Sequence, residues 1–332
     1  AQGYLVYQLT HSAAYLGIVS FANGAPTWIF TLFGGIIADR MPRRRLLIIT
    51  QSTMMLLAFL LVALVASQMI LPWHVIMLAF LLGTANAFDA PTRLAFVSEL
   101  VDKESLTNAI AINSMMFNGA AIFGPAAAGM LYAWLGPSWC FLINGFSFLA
   151  VITALSMMRL PKTPRTTSSK SAIEEAKEGL HYAIHHNTIR TVLFNLAIVS
   201  FFGGGMVALI PAWAVKVLGG GAELNGLLFS ARGLGAVMGA LIIAALSHYN
   251  IKGKLWLIGI STLPITLFML TFFTQVPLSV LIMIGAGASY MLTVNTCNGI
   301  VQSNIQEQLR GRVMSIYSLV FSGFMPLGSL LL

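Results

Sequence analysis

Gly34-Gly35-Ile36-Ile37-Ala38-Asp39-Arg40-Met41-Pro42-Arg43-Arg44-Arg45 sets two glycines, an acid and a cluster of arginines in one short link between long apolar runs. Gly34 and Gly35 remove side chains where two helices approach. Asp39 is placed to face the positive end of a neighbouring helix or to pair with an arginine. The chemistry this permits is that of a latch. Asp39, Arg40, Arg43 and Arg44 are expected to hold one closed state against the start of a helix at Arg312, while Arg45 marks topology. The plainer alternative leaves all the arginines as topological markers.

A second acid and base, Asp89 and Arg93, stand four residues apart, acid first, the favoured order for an intrahelical pair, with Pro91 loosening the turn between them. An ionisable group inside an apolar helix costs at least about 3 kcal/mol unless paired or wetted, which makes Asp89 the candidate proton-carrying carboxylate. The alternative is that Arg93 snorkels to the interface and Asp89 neutralises it. Arg232 has no acid close in sequence and is expected toward the outer side of its helix. It needs a partner on another helix or on an anionic cargo, unless it caps the outer end of its own helix. Asn86, Asn118, Tyr290 and Asn295 are the other candidates for a cavity wall. Asn113, Asn195, Asn298, Phe201, Phe202, Trp213 and Phe229 add to an amide-aromatic mixture that suits a bulky amphiphilic molecule. A single amide is more often glue between helices.

Other chemistries find little support. His181, His185 and His186 lack a Cys or acid to complete a metal set. Gly233-x-Gly235-x-x-x-Gly239 lies inside an apolar span and reads as a packing stripe, since no strand precedes it as a nucleotide loop requires. No nucleophile motif or phosphate loop appears, so no catalytic, cofactor or metal residue is expected. Cys140 and Cys297 fall in apolar segments, as small buried side chains do.

The elements that must position these residues are membrane helices. Hydrophobic residues make up 58% of the chain and charged ones 8%, against roughly a quarter charged in a soluble domain. Apolar runs of about 20 residues follow one another with short links, and backbone in lipid must bond internally. Helices are predicted at 13–38, 46–67, 73–97, 107–133, 139–158, 191–214, 224–247, 255–273, 277–302 and 312–332. Residues 1–9 read as the tail of an earlier helix, so a longer native protein, truncated here at both ends, is expected.

Links with Arg40 and Arg43 to Arg45, Lys103, Arg159 to Arg190, Lys252 and Lys254, and Arg310 and Arg312 alternate with links that hold only Lys216. That asymmetry predicts basic links in the cytoplasm. It also accounts for the net charge of +8 without nucleic acid. Pro161 to Lys170 is a polar linker, and Ala172 to His186 reads as an amphipathic helix lying at the cytoplasmic face. The chain so divides into an N-terminal helix bundle (1–158), a linker (159–190) and a C-terminal bundle (191–332). The halves repeat: Leu106 to Ile110 and Leu309 to Val313 each start a helix after a polar link, and Pro125 and Pro326 fall deep in those helices. Two such halves suggest alternating access to a site between them.

Gly34-Gly35-x-x-Ala38-Asp39-Arg40-x-x-Arg43-Arg44 resembles the signature between helices 2 and 3 of major facilitator superfamily transporters. Asn118-Gly119 through Gly124-Pro125 to Gly129 resembles the helix 5 motif of that superfamily's exporters, with its closing double glycine reduced to Ala128-Gly129. Asn86 to Arg93, Glu99-Leu100-Val101, Asn108-Ala109-Ile110, Asn113-Ser114, Arg232 to Val237 and Arg310-Gly311-Arg312-Val313 are similar to the subgroup of the enterobactin exporter and multidrug-like permeases. The resemblance implies an all-α polytopic membrane protein of two pseudo-symmetric six-helix bundles. Its implied activity is proton-coupled export of a small amphiphilic molecule, siderophore or drug-like, by a monomer in the bacterial inner membrane. No cofactor is implied beyond the proton gradient, and the expected partners are the small-molecule substrate and the lipid bilayer. Uptake by the same fold and a transport-inactive membrane scaffold or sensor are the alternatives.

Overall fold

The computed structural model describes residues 2–102, 104–158, 172–246, 248–249 and 251–332, without the side chains of 31–40, 98–99, 106–107, 172–177 and 308. Among the described residues there is no strand. Among the described residues, twelve helices follow in order, with a short 3-10 turn at Glu307–Leu309 before the last: α1 (Gln2–Thr10), α2 (Ala13–Arg40), α3 (Arg43–Ala66), α4 (Pro72–Leu100), α5 (Leu106–Leu135), α6 (Pro137–Met157), α7 (Ala172–His185), α8 (Asn187–Val217), α9 (Ala222–Ala245), α10 (Lys252–Phe272), α11 (Val276–Ser303) and α12 (Arg310–Leu331). Nine of them are long and apolar enough to cross a membrane on their described residues, and α2, at 28 residues, has the length as well.

The predicted boundaries agree within a few residues because the punctuation is local. Proline, which gives up no bonded N–H in a first turn, stands at the start of α4, α6 and α11. Gly136, at φ 84°, ends α5 and lets α6 begin at once. The predicted single helix 191–214 differs in kind. α8 contains wide turns at Ser200–Gly204 and Trp213–Val217 and a tight turn at Met206–Leu209. Gly203-Gly204-Gly205 and Pro211 weaken the regular hydrogen-bond ladder there. The glycines then admit close neighbours: Gly203 the Tyr290 ring, Gly204 the Met325 side chain, and Gly205 the backbone of Gly328.

Helices α1–α6 and α8–α12 pack as two groups, each with its own apolar core. One is built on Leu5, Val6, Tyr7, Leu16, Leu61 and Val75, the other on Ile189, Leu196, Leu263, Val294, Val301 and Val313. Large apolar side chains also cover the outside, among them Leu94, Phe123, Leu241 and Phe268, each more than 60% exposed. Water would not tolerate so much apolar surface, and lipid does.

The linker helix packs against the second half. Ala183 of α7 is buried in the second core with Tyr182 packed beside it, while Leu180 and Ile184 stay exposed. Glu178 Oε1 meets Arg312 Nη1 at 2.5 Å, and Gly179 lies against the Arg312 backbone. An acid at the first turn of α12 also complements that helix's positive end.

Candidate functional site: the cleft between the two halves

The halves meet through two antiparallel helix pairs, α2 with α12 and α5 with α9. In the first pair, Gly17 lies on the Ser329–Leu330 backbone, Gly24 on the Pro326 ring and Gly323 on the Trp28 indole. In the second, a Cβ on Gly129 would come within 2.6 Å of the Ala222 carbonyl oxygen, Gly226 sits under the Pro125 carbonyl, and Gly233 under that of Ala121. The Ala126 N–H donates to Ser230 Oγ at 2.9 Å, a hydrogen bond that crosses between halves. Glycine is needed at such contacts because two backbones approach where a side chain would stand.

All these contacts lie toward the end of the molecule away from the basic links. Toward the other end, Ile110 to Phe117 of α5 are all exposed, with Met115, Met116 and Phe117 each above 70%. Successive residues of a helix point about 100° apart, so among the described residues nothing covers this run, and α9, which packs on α5 from Ala121 to Gly129, does not reach it. The halves therefore form a V, closed opposite the basic links and open at them.

The sequence repeat has a geometric counterpart here. Pro125 of one half faces Gly226 of the other, and Pro326 of the other faces Gly24 of the first. Of the helix 5 motif, Pro125 and Gly129 make the contact, whereas Gly119 and Gly124 have no heavy atom within reach of an added Cβ.

Near the open end, α3 is tied to its neighbours by arginine. Arg43 Nη1 donates to the Ala95 carbonyl of α4 at 3.0 Å, and Arg44 Nε to the Leu155 carbonyl at the end of α6 at 2.5 Å, with Arg44 Nη2 on Ser156. The Leu155 and Ser156 carbonyls are orphans of a helix end, so a cation suits them. Arg45 is exposed. Arg44→Gln is accordingly expected to cost about 1–2 kcal/mol and lower the melting temperature in detergent by several degrees, with Arg45→Gln neutral in the same assay. The side chains of Gly34, Gly35, Asp39 and Arg40 lie outside the described residues. Arg312, expected opposite them, is paired with Glu178 in this conformation.

Asp89 is only 1% exposed and accepts from four donors: Thr50 Oγ1 at 2.8 Å, Gln51 Nε2 at 2.9 Å, Arg93 Nε at 3.1 Å and Arg93 Nη2. The expected pair with Arg93 is present, but it is half of the arrangement. Thr50 and Gln51 join α3 to α4 through this carboxylate, and sequence reasoning missed them. Their signal was the polar run Thr50-Gln51-Ser52-Thr53 inside an otherwise apolar helix. In this conformation Asp89 is an interhelix clamp with its lone pairs in use.

Arg232 lies near the middle of α9, not at its outer end, so the capping alternative falls. Its guanidinium stands 5.1 Å from the centroid of the Tyr290 ring of α11. Asn86 is exposed and Asn118 and Asn295 are half-buried, and none of the three side-chain amides makes a hydrogen bond among the described residues. Tyr290 is buried. The structure thus brings Arg232 and Tyr290 together, while the amides stand apart on α4, α5 and α11. Cys140 and Cys297 are buried free thiols, and Trp256 Nε1 donates to Cys297 Sγ at 3.2 Å.

Two helix bundles closed at one end through glycine contacts are the architecture of an alternating-access carrier. The transmembrane secretion effector family of the major facilitator superfamily matches residues 1–332, the whole chain. The chain belongs to that family. This superfamily member is 29% identical to the Staphyloferrin A transporter of Staphylococcus aureus, over 97% of this chain and 81% of the relative. It is 26% identical to the multidrug efflux pump Tap of Mycolicibacterium fortuitum, over 99% and 82%. To the enterobactin exporter EntS of Citrobacter koseri it is 27% identical, over 76% of this chain and 60% of that one.

Among solved structures, a point mutant of the nucleoside transporter NupG superposes with a TM-score of 0.78 at 14% identity, covering 99% of this chain and 84% of that one. A bacterial homologue of the lysosomal transporter Spinster, inward-facing and unoccupied, gives 0.75 at 14% identity, over 99% and 76%. At such identities these likenesses establish the major facilitator fold. The chain is a secondary transporter and not an enzyme.

Proposed function

We propose that this transporter exports a small amphiphilic molecule, siderophore-like or drug-like, from the bacterial cytoplasm across the inner membrane, driven by the proton gradient. The observation that carries the reading is the V between the halves, shut by glycine contacts at one end and open beside the basic links. The positive-inside asymmetry makes that open end cytoplasmic, so the conformation is the one that loads cargo from inside. Export and the class of cargo are supported by the likeness to the multidrug efflux pump Tap and the enterobactin exporter EntS. The proton is proposed as coupling ion with Asp89 as its carrier, because Asp89 is a carboxylate buried within a span. Taking up a proton there means giving up contacts to Thr50, Gln51 or Arg93, which couples protonation to the packing of α3 against α4. The transporter is proposed to work as a monomer.

Inverted membrane vesicles containing the full-length protein test this. An imposed gradient, acid inside, is expected to drive accumulation of a lipophilic dye or a siderophore, and a protonophore to collapse it. Accumulation only in right-side-out vesicles, or flux indifferent to the protonophore, contradicts the reading. Sidedness has its own check in single cysteines. Arg45→Cys is expected to react only with reagent reaching the cytoplasmic face, and Met69→Cys, at a site 68% exposed near the opposite end, only from outside.

A further inference from the structure

Among the described residues, nothing neutralises the charge on Arg232. The chain has ten acids, and they are Asp39, Asp89, Glu99, Asp102, Glu104, Glu174, Glu175, Glu178, Glu223 and Glu307. Asp89 is bound by Arg93, and Glu178 by Arg312. Glu223 is on α9 itself, nine residues and so about 13 Å away along the helix axis. Asp39 stands in the last turn of α2, and the remainder fall in or beside the basic links. Among the described residues, the guanidinium of Arg232 makes no hydrogen bond and no ion pair, and its one charge-directed contact is the face of Tyr290. A ring face offsets only part of the cost of holding a cation at mid-membrane.

Its position is also telling. The next residue, Gly233, touches Ala121 of the first half, while the Arg232 guanidinium turns into the second half, among Gly203, Leu263 and Tyr290. The small space beside Arg232, about 10 Å³, is bounded by Met206, Ile210, Leu267 and Met283. The same four residues wall an apolar recess of about 310 Å³. The cation is thus set where a polar end and an apolar body would be read together.

We propose that Arg232 is the cargo-recognising residue of this transporter and that the cargo is an amphiphilic organic anion, whose negative group completes the missing ion pair. The inference rests on the transport reading given above. A carboxylate or enolate offers paired oxygens to the guanidinium fork, which an ammonium point charge cannot match as well.

Binding of 1-naphthoate and of its uncharged isostere 1-naphthamide to the purified full-length protein in detergent tests the assignment. Wild type is expected to bind naphthoate at least about tenfold more tightly, which is about 1.4 kcal/mol. Arg232→Gln is expected to erase that preference, and Arg232→Lys to keep part of it. The lysine variant also serves if the glutamine variant does not fold, since it retains the charge and loses only the fork. Equal affinities in wild type, no binding of either probe, or a preference that survives in Arg232→Gln overturn the proposal. Transport fails separately: a protein that binds naphthoate through Arg232 but moves no dye or siderophore across vesicles loses the export reading and keeps the anion site.

Discussion

Replacing Gly226 with leucine is expected to abolish transport while leaving the protein folded and inserted. A Cβ at this position overlaps the carbonyl oxygen of Pro125 and crowds Gly129. Both neighbours are backbone, so no rotamer change relieves the clash, and the two helices must separate. Overpacking of this kind costs about 1–3 kcal/mol, which shifts a two-state equilibrium roughly 5- to 150-fold away from the state closed at this end. Neither bundle's own core contains the contact, which is why insertion survives.

The measurement pairs flux with cysteine reactivity. Ser329→Cys, in a background with Cys140 and Cys297 replaced by serine, sits where Gly17 covers it in the parent and should react slowly. In Gly226→Leu it should react quickly. Wild-type flux and slow labelling together in the leucine variant would show that the glycine contact is not the outer gate. Gly119→Leu is the control, because nothing lies within 4 Å of an added Cβ there.

Asp89→Asn has the next largest expected effect, and its partner substitution separates two roles. Asparagine keeps one oxygen for Thr50 Oγ1 and Gln51 Nε2, but its amide N–H groups then face the Arg93 donors. The buried amide N–H left without an acceptor costs about 1–3 kcal/mol, while Arg93, 56% exposed, can turn to water, and the loss is read as a lowered melting temperature in detergent. Flux driven by a pH gradient should fall with it. Adding Arg93→Gln removes the donor-on-donor contact and should return most of the stability. If gradient-driven flux stays absent in the stable double variant, Asp89's charge is needed for coupling. If flux returns along with stability, Asp89 is a clamp between α3 and α4 and the proton-carrying role is discarded.

Much of this protein could be read along the chain. The helices, their ends, the division at the linker, the Pro125 and Pro326 repeat and the i,i+4 pair of Asp89 with Arg93 are all local or periodic features. Local features survive without knowledge of neighbours, because proline, glycine and charge act on the backbone within a turn. The basic links likewise follow from counting Lys and Arg between apolar runs.

What crosses between helices needed the tertiary structure. The partnership of Asp89 with Thr50 and Gln51, the grip of Arg44 on the end of α6, the pairing of Glu178 with Arg312, and Arg232 over Tyr290 were not visible. A helix of a soluble domain announces its buried face by an apolar stripe, but a membrane span is apolar all round, so its sequence carries little record of which way it turns. Composition and spacing determined the solvent and the helices that cross it. Which residues meet across the bundle, and at which end the two halves close, was decided by the packing of backbone against backbone at glycine.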